Sequence, residues 1–127
     1  SGIIKSRIIP TTMELMDKDT MNLIEEFKHV GLPTDAEGAI LIEVDGAPAD
    51  VENQVKKVVE VCKACGASDV KAAKTPEEAV GLWAGRKAAF AAIASKAFTV
   101  YTEDATVPRP KVLAQALPYR PCQKAAA

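Results

Sequence analysis

Histidine is nearly absent from this chain. It occurs once, at His29, so no Ser-His-Asp arrangement can be assembled around any other imidazole. Cysteine is also scarce: three residues, an odd count without framework spacing, which points to a reducing compartment, the cytoplasm, and not to a secreted disulfide scaffold. Neither sign of charge dominates. Sixteen Lys and Arg stand against 17 Asp and Glu, with a net charge of −1 and a pI of about 5.8, so the electrostatic footprint of a nucleic-acid binder is missing. No apolar run approaches the roughly 20 residues that cross a bilayer, and the opening residues do not read as a signal peptide. There is no GxGxxG and no GxxxxGK(S/T), hence no visible phosphate cradle.

What is there reads as one domain of 127 residues, with 48% hydrophobic and 26% charged residues, both ordinary for a globular chain. Both ends look artificial. The chain starts Ser1-Gly2 without methionine, and the stretch "PYRPCQKAAA" (118–127) has prolines and no apolar period. The expected organisation is a domain over 1–117 followed by a tail over 118–127, weakly ordered or appended.

Residues 3–9 read equally as the end of a helix or a short strand. "TTMELM" after Pro10 is a strand, and Asp17 or Asp19 caps a helix running to about Val30, with Leu23, Ile24, Phe27 and Val30 on one side. "AILIEVDG" (39–46) is the clearest strand, Ile40, Ile42 and Val44 pointing one way. From Pro48 a second helix carries Val51, Val55, Val58, Cys62 and Cys65 on one stripe until Gly66 stops it. "DVKAAK" (69–74) is a short strand. Thr75, Pro76 and Glu78 form the N-cap, N1 and N3 of a capping box that opens a helix over "TPEEAVGLWAGRKAAFAAIASKAF" (75–98). "FTVYTEDATV" (98–107) is a strand, and "PRPKVLAQAL" starts a last helix. Alternating strands and helices alone suggest a parallel α/β sheet. Charges at alternate strand positions, Glu43, Asp45 and Lys71, favour instead an α+β fold, with an antiparallel sheet covered by helices on one face.

Four features are candidates for chemistry. Cys62 and Cys65 form a CxxC, but at a helix C-terminus, where the dipole raises a thiolate's energy, and on the valine stripe where core residues belong. With one histidine and a distant Cys122 they lack the roughly four ligands of a zinc site, so two buried core thiols are expected. His29 lies near a helix end as a solvent-facing residue. Glu14, Asp17, Glu43, Asp45, Glu103 and Asp104 lie near strand ends, mostly as solvated or turn-forming groups. Arg86 is the odd one. At 100° per residue it falls amid Ala79, Trp83, Phe90, Ile93 and Ala97, in the middle of an apolar stripe. A guanidinium there snorkels to water or requires a carboxylate, from this chain or from a ligand. Glu43 and Asp104 are the internal partners considered. Sequence physics leaves salt bridge and ligand site even.

"ILIEVDG", "VCKACGASDVKAAKTPEEAVGLWAGRKAAF" and "YTEDATVPRPKV", with "IIPTTMELMD" upstream, resemble the cap domain of FAD-linked oxidases of the vanillyl-alcohol-oxidase type. The likeness is strongest to the branch of bacterial glycolate oxidase flavoprotein subunits and D-lactate dehydrogenases, over roughly residues 8 to 117. LWAGRKAAF followed by YxxDxxVPR is its most specific part. The resemblance implies a ferredoxin-like sheet forming the substrate side of a flavin site, where a 2-hydroxy acid passes hydride to FAD while basic side chains hold its carboxylate. Arg86 matches the arginine of the family's W-x-x-R motif and is implied to hold that carboxylate, with Trp83, Tyr101 and Asp104 in supporting places.

The family's FAD-binding domain, and its downstream HxGDGNxH and GEHG segments with histidines for a divalent metal, have no match here. The chain therefore reads as a piece of an enzyme. On its own it is expected to bind no FAD and to turn nothing over, with Arg86 open to a cleft or to the missing flavin domain and no internal carboxylate at hydrogen-bond range. The implied partners are the 2-hydroxy acid, the FAD-binding domain, and other glycolate oxidase subunits, through which a cytoplasmic parent would meet a membrane. The competing expectation is a stand-alone ferredoxin-like ligand-binding or regulatory module without redox activity. A natural reading frame ending near residue 127 would favour that module.

Overall fold

The computed structural model describes residues 2–102, 104, 106–108 and 111. In chain order the elements are α1 (Gly2–Lys5), β1 (Thr12–Asp17), α2 (Lys18–Phe27), β2 (Gly38–Glu43), α3 (Pro48–Ala64) and α4 (Pro76–Ala94). The fold is α+β. β1 and β2 pair antiparallel over six residues each, from Thr12 opposite Glu43 to Asp17 opposite Gly38. The ambiguous opening stretch resolves as a helix end: Ser6 and Arg7 close one short turn on Gly2 and Ile4, and Arg7 takes a left-handed φ of 61° before Ile8 is buried.

The pleat divides the ladder into two faces. Glu14, Met16, Ala39 and Leu41 share one of them. Met16 is buried there with Met21 and Ile24 of α2 and Ala89 and Ala92 of α4, and Ala39, Leu23 and Leu32 pack against that cluster. Ile42 is on the opposite face. With Val44 it packs against Ile3 and Ile8 and against Val58 of α3. Helices thus lie on both faces of the ladder, not on one as expected, because Ile42 and Met16 are both apolar and point in opposite directions. Leu15 (74% exposed) and Ile40 form the part of the second face that α1 and α3 leave bare.

Two of the four expected strands form the sheet. Residues 69–74 run without a ladder partner, as do the described residues of 98–107. Lys71, Ala72, Ala73 and Lys74 are weak strand formers, and pairing across a sheet face, which they do not gain here, is what would hold them extended. The last helix expected after Pro108 and the tail over 118–127 lie outside the described residues, apart from a turn in which Lys111 N donates to Pro108 O.

α2 begins as expected, with Asp17 accepting from Thr20 N at 2.9 Å, but ends at Phe27, three residues before Val30. The carboxylate of Glu25 explains the early stop. It accepts from Val30 N at 3.1 Å and Leu32 N at 2.7 Å, which draws the chain back under the helix end while Gly31 takes φ 80°.

Candidate functional site

α4 starts where the capping signals place it. Thr75 Oγ1 accepts from Glu78 N at 3.3 Å, and Glu78 returns a carboxylate to Lys74 N at 2.6 Å, one residue before the cap. The face that α4 packs is not the stripe around Arg86. Gly85, Ala89 and Ala92 are its buried residues, with Leu82, Ala88 and Ile93 half-buried beside them. Phe90, from the expected stripe, is 62% exposed. α4 is apolar almost all round, so periodicity gives it no single inner face. The small residues are selected because they let α2 and the loop at Leu32 approach closely.

This rotation puts Arg86 at the rim of the packed face. Successive same-face residues of a strand lie roughly 7 Å apart, and three residues of helix cover about 4.5 Å. Met16 is seated against Ala89 and Ala92. Glu14, two residues before Met16 on β1, therefore emerges beside Arg86, one turn before Ala89. The Arg86 Nε–H donates to Glu14 Oε2, and the two groups form an ion pair 72 positions apart in sequence. Arg86 was expected to have no carboxylate within reach in this chain; Glu14 corrects that. Neither Glu43 nor Asp104, the internal partners considered from the sequence, is bonded to it among the described residues. Glu43 lies on the same sheet face as Glu14, opposite Thr12.

The side chains of Arg86 and Glu14 are 46% and 30% exposed, so the pair is wet and, as an ion pair, contributes roughly 0–1 kcal/mol to stability. One of the five guanidinium N–H groups is used. Among the described residues the Nη edge has no hydrogen-bond partner, and it is one of the two edges by which a guanidinium can grip a carboxylate in two places. Trp83 is half-buried one turn before Arg86. Tyr101 is 84% exposed and Asp104 is exposed, both in the segment after α4, and no hydrogen bond joins either to Arg86 among the described residues.

The other candidates are not brought together. Cys62 packs half-buried against the Ile3–Val58 cluster, whereas Cys65, expected in the core, is exposed as the C-cap of α3. Burial, and then the neighbouring Cys65, push the Cys62 thiol up, away from the reactive range. His29 faces solvent 3.9 Å from Glu25. Among the described residues no group of three or more His, Cys, Asp or Glu is placed to hold a metal ion. Among them, too, no helix is long and apolar enough to cross a membrane.

A cleft of about 760 Å³ opens between the turn after α1, the turn after β2 and α3. Its walls alternate Arg7, Lys56 and Lys57 with Asp45, Asp50 and Glu60, and Arg86 is not among them. Such a surface has no net attraction for a pyrophosphate, and no glycine-rich turn leads into a helix N-terminus there. The walls of this cleft do not fit FAD.

The chain thus presents, on an α+β scaffold, a half-exposed basic helix residue tethered to Glu14 through Nε, its Nη edge without a hydrogen-bond partner among the described residues. It belongs to the FAD linked oxidases, C-terminal domain family, whose family model matches residues 1–117. It is 42% identical over 112 residues to the glycolate oxidase subunit GlcD of Bacillus subtilis (strain 168), covering 88% of this chain and 24% of that protein. To the glycolate oxidase subunit GlcD of Escherichia coli (strain K12) it is 40% identical over 107 residues, 84% of this chain and 21% of that one. The chain therefore spans between a fifth and a quarter of the length of these relatives. No solved structure matches it.

Proposed function

We propose that this chain is the substrate cap of a longer FAD-dependent oxidoreductase acting on a small 2-hydroxy acid of the glycolate or D-lactate type, and that Arg86 binds the substrate carboxylate. The observation that carries this reading is the guanidinium at the rim of α4, tethered through Nε with its Nη edge open, in a chain of this family. A planar fork with an open edge suits a carboxylate better than a point charge does. Trp83, Tyr101 and Asp104 take supporting places around the same ligand. FAD is held by the portion of the parent outside this chain, since the walls of the cleft here repel as much as they attract it. The piece alone then turns nothing over. The parent's partners are other glycolate oxidase subunits, which receive its electrons.

The test is Arg86→Met in the full-length parent. Loss of a charge-assisted carboxylate contact raises KM and lowers kcat/KM by about 2–3 kcal/mol. Arg86→Lys restores part of the loss, because it returns the charge without the fork. An unchanged KM for every 2-hydroxy acid tried would remove Arg86 from the site.

A further inference from the structure

Resting on the reading of Arg86 above, we propose that Glu14 is a positioning residue: by holding Nε it aims the Nη edge of Arg86 at the substrate carboxylate. A guanidinium offers a carboxylate two edges, Nη with Nη and Nε with Nη. Glu14 Oε2 occupies the Nε position, so one edge is taken by the fold and the other remains for a ligand. The anchor is stiff where the arginine is not. Glu14 is on a strand paired along its whole length, and the buried Met16 two residues on fixes the direction of that strand's face. Arg86 has a long stem and is nearly half exposed, so without a tether its head samples many rotamers. Ordering that head before the ligand arrives removes part of the entropy lost on binding.

An exposed ion pair does little for stability, so the effect of Glu14 falls on affinity. Its own charge works against the aim, since a second carboxylate beside the guanidinium weakens the field felt by the ligand. Gln at this position keeps an acceptor for Nε without that charge, and Asp keeps the charge but falls one methylene short of Nε. The two variants separate aim from field.

The experiment uses the full-length parent loaded with FAD. The dissociation constant of oxalate, a carboxylate with no hydrogen to give up, is measured by calorimetry, alongside KM and kcat for glycolate and the thermal midpoint. Glu14→Ala and Glu14→Asp are expected to weaken oxalate and raise KM about tenfold, with kcat within about threefold of the parent's. Glu14→Gln is expected to stay within about threefold on every constant. In the Arg86→Met background Glu14→Ala is expected to change nothing further, because the residue acts only through the guanidinium. If Glu14→Ala does not fold, Glu14→Asp carries the same expectation. Unchanged oxalate affinity in Glu14→Asp or Glu14→Ala overturns the proposal, and tighter binding overturns it in favour of Glu14 as a competitor for the ligand's place. An effect of Glu14→Ala that persists without Arg86 also overturns it. If Arg86→Met alone leaves oxalate affinity unchanged, the carboxylate reading itself has failed, and this is seen independently of Glu14.

Discussion

A Cβ built on Gly85 would lie 3.2 Å from both terminal methyl carbons of Leu32, closer than such contacts normally come. The Leu32 backbone is held there by its N–H donating to Glu25, and its side chain packs against the α2 and α4 cluster, which limits how far the methyls can give. Two effects then oppose each other in Gly85→Ala. Alanine gains about 1 kcal/mol of helix propensity, and crowding against Leu32 takes back a similar amount. Gly85→Val adds two methyls in the same direction and loses the helical advantage, so we expect about 2 kcal/mol of destabilisation in urea unfolding, with Gly85→Ala close to neutral. Equal stability for the two variants would mean that Leu32 is not seated against α4. The next residue shows what single positions disclose and what they conceal. That Arg86 is chemically out of place is legible in the sequence, because a guanidinium amid Trp83, Phe90 and Ile93 needs an anion. Its partner is not legible, because Glu14 is 72 positions away and meets Arg86 only after Met16 and Ala89 have packed.

Helix starts are written locally, which is why those of α2 and α4 stand where the cap residues place them. In α4, Thr75 supplies the acceptor for Glu78 N, and Pro76 fills the first helical position, where no N–H is required. Thr75→Ala removes that acceptor and is expected to cost about 1 kcal/mol in chemical denaturation, while Thr75→Asn is expected to cost a few tenths at most. A null effect of Thr75→Ala would mean that Glu78, through Lys74 N, holds the turn alone. Helix ends and strands are less local. α2 stops early because the Glu25 side chain satisfies backbone groups five and seven residues on, a contact that no periodicity contains. The 69–74 segment has the composition of a marginal strand, and whether it pairs depends on a neighbour that β1 and β2 do not provide among the described residues. The inner face of α4 departs from the stripe around Arg86 for a related reason. A helix rich in alanine is directed by which small residues permit close approach, and that is decided by α2 and Leu32 rather than by α4 itself.

For the whole domain, the carboxylates decide how it meets acid. Asp17 is held below its usual range by Thr20, whose hydroxyl and backbone N–H both donate to it, and Glu25 by the N–H of Leu32 and then of Val30. Glu26 and Glu52 are held down by Lys96 and Lys56, in exposed pairs with N–O separations of 2.8 and 2.7 Å. For each group the folded value is depressed, so its contribution is fully present above the unfolded value, about 4, and is lost as pH falls through the folded one. Stability is therefore expected to be flat from neutral pH down to about 5 and to fall below about 4. The two kinds of group separate under salt. Pairs with exposed lysines are screened near 1 M salt, where the Debye length is about 3 Å, whereas donors fixed in the backbone at 2.7–3.1 Å are not. Added salt should thus remove the part of the acid sensitivity due to Glu26 and Glu52 and leave the part due to Asp17 and Glu25. Glu25→Gln should remove Glu25's share of the salt-resistant part and leave that of Asp17, and hydrogen exchange should show why: in the unsubstituted chain the amides of Val30 and Leu32 lose protection first as pH falls, since their acceptor is the Glu25 carboxylate. If those amides keep their protection to the end of the acid transition, the loop at Leu32 is secured by packing alone, and the carboxylate of Glu25 does not govern how the domain opens.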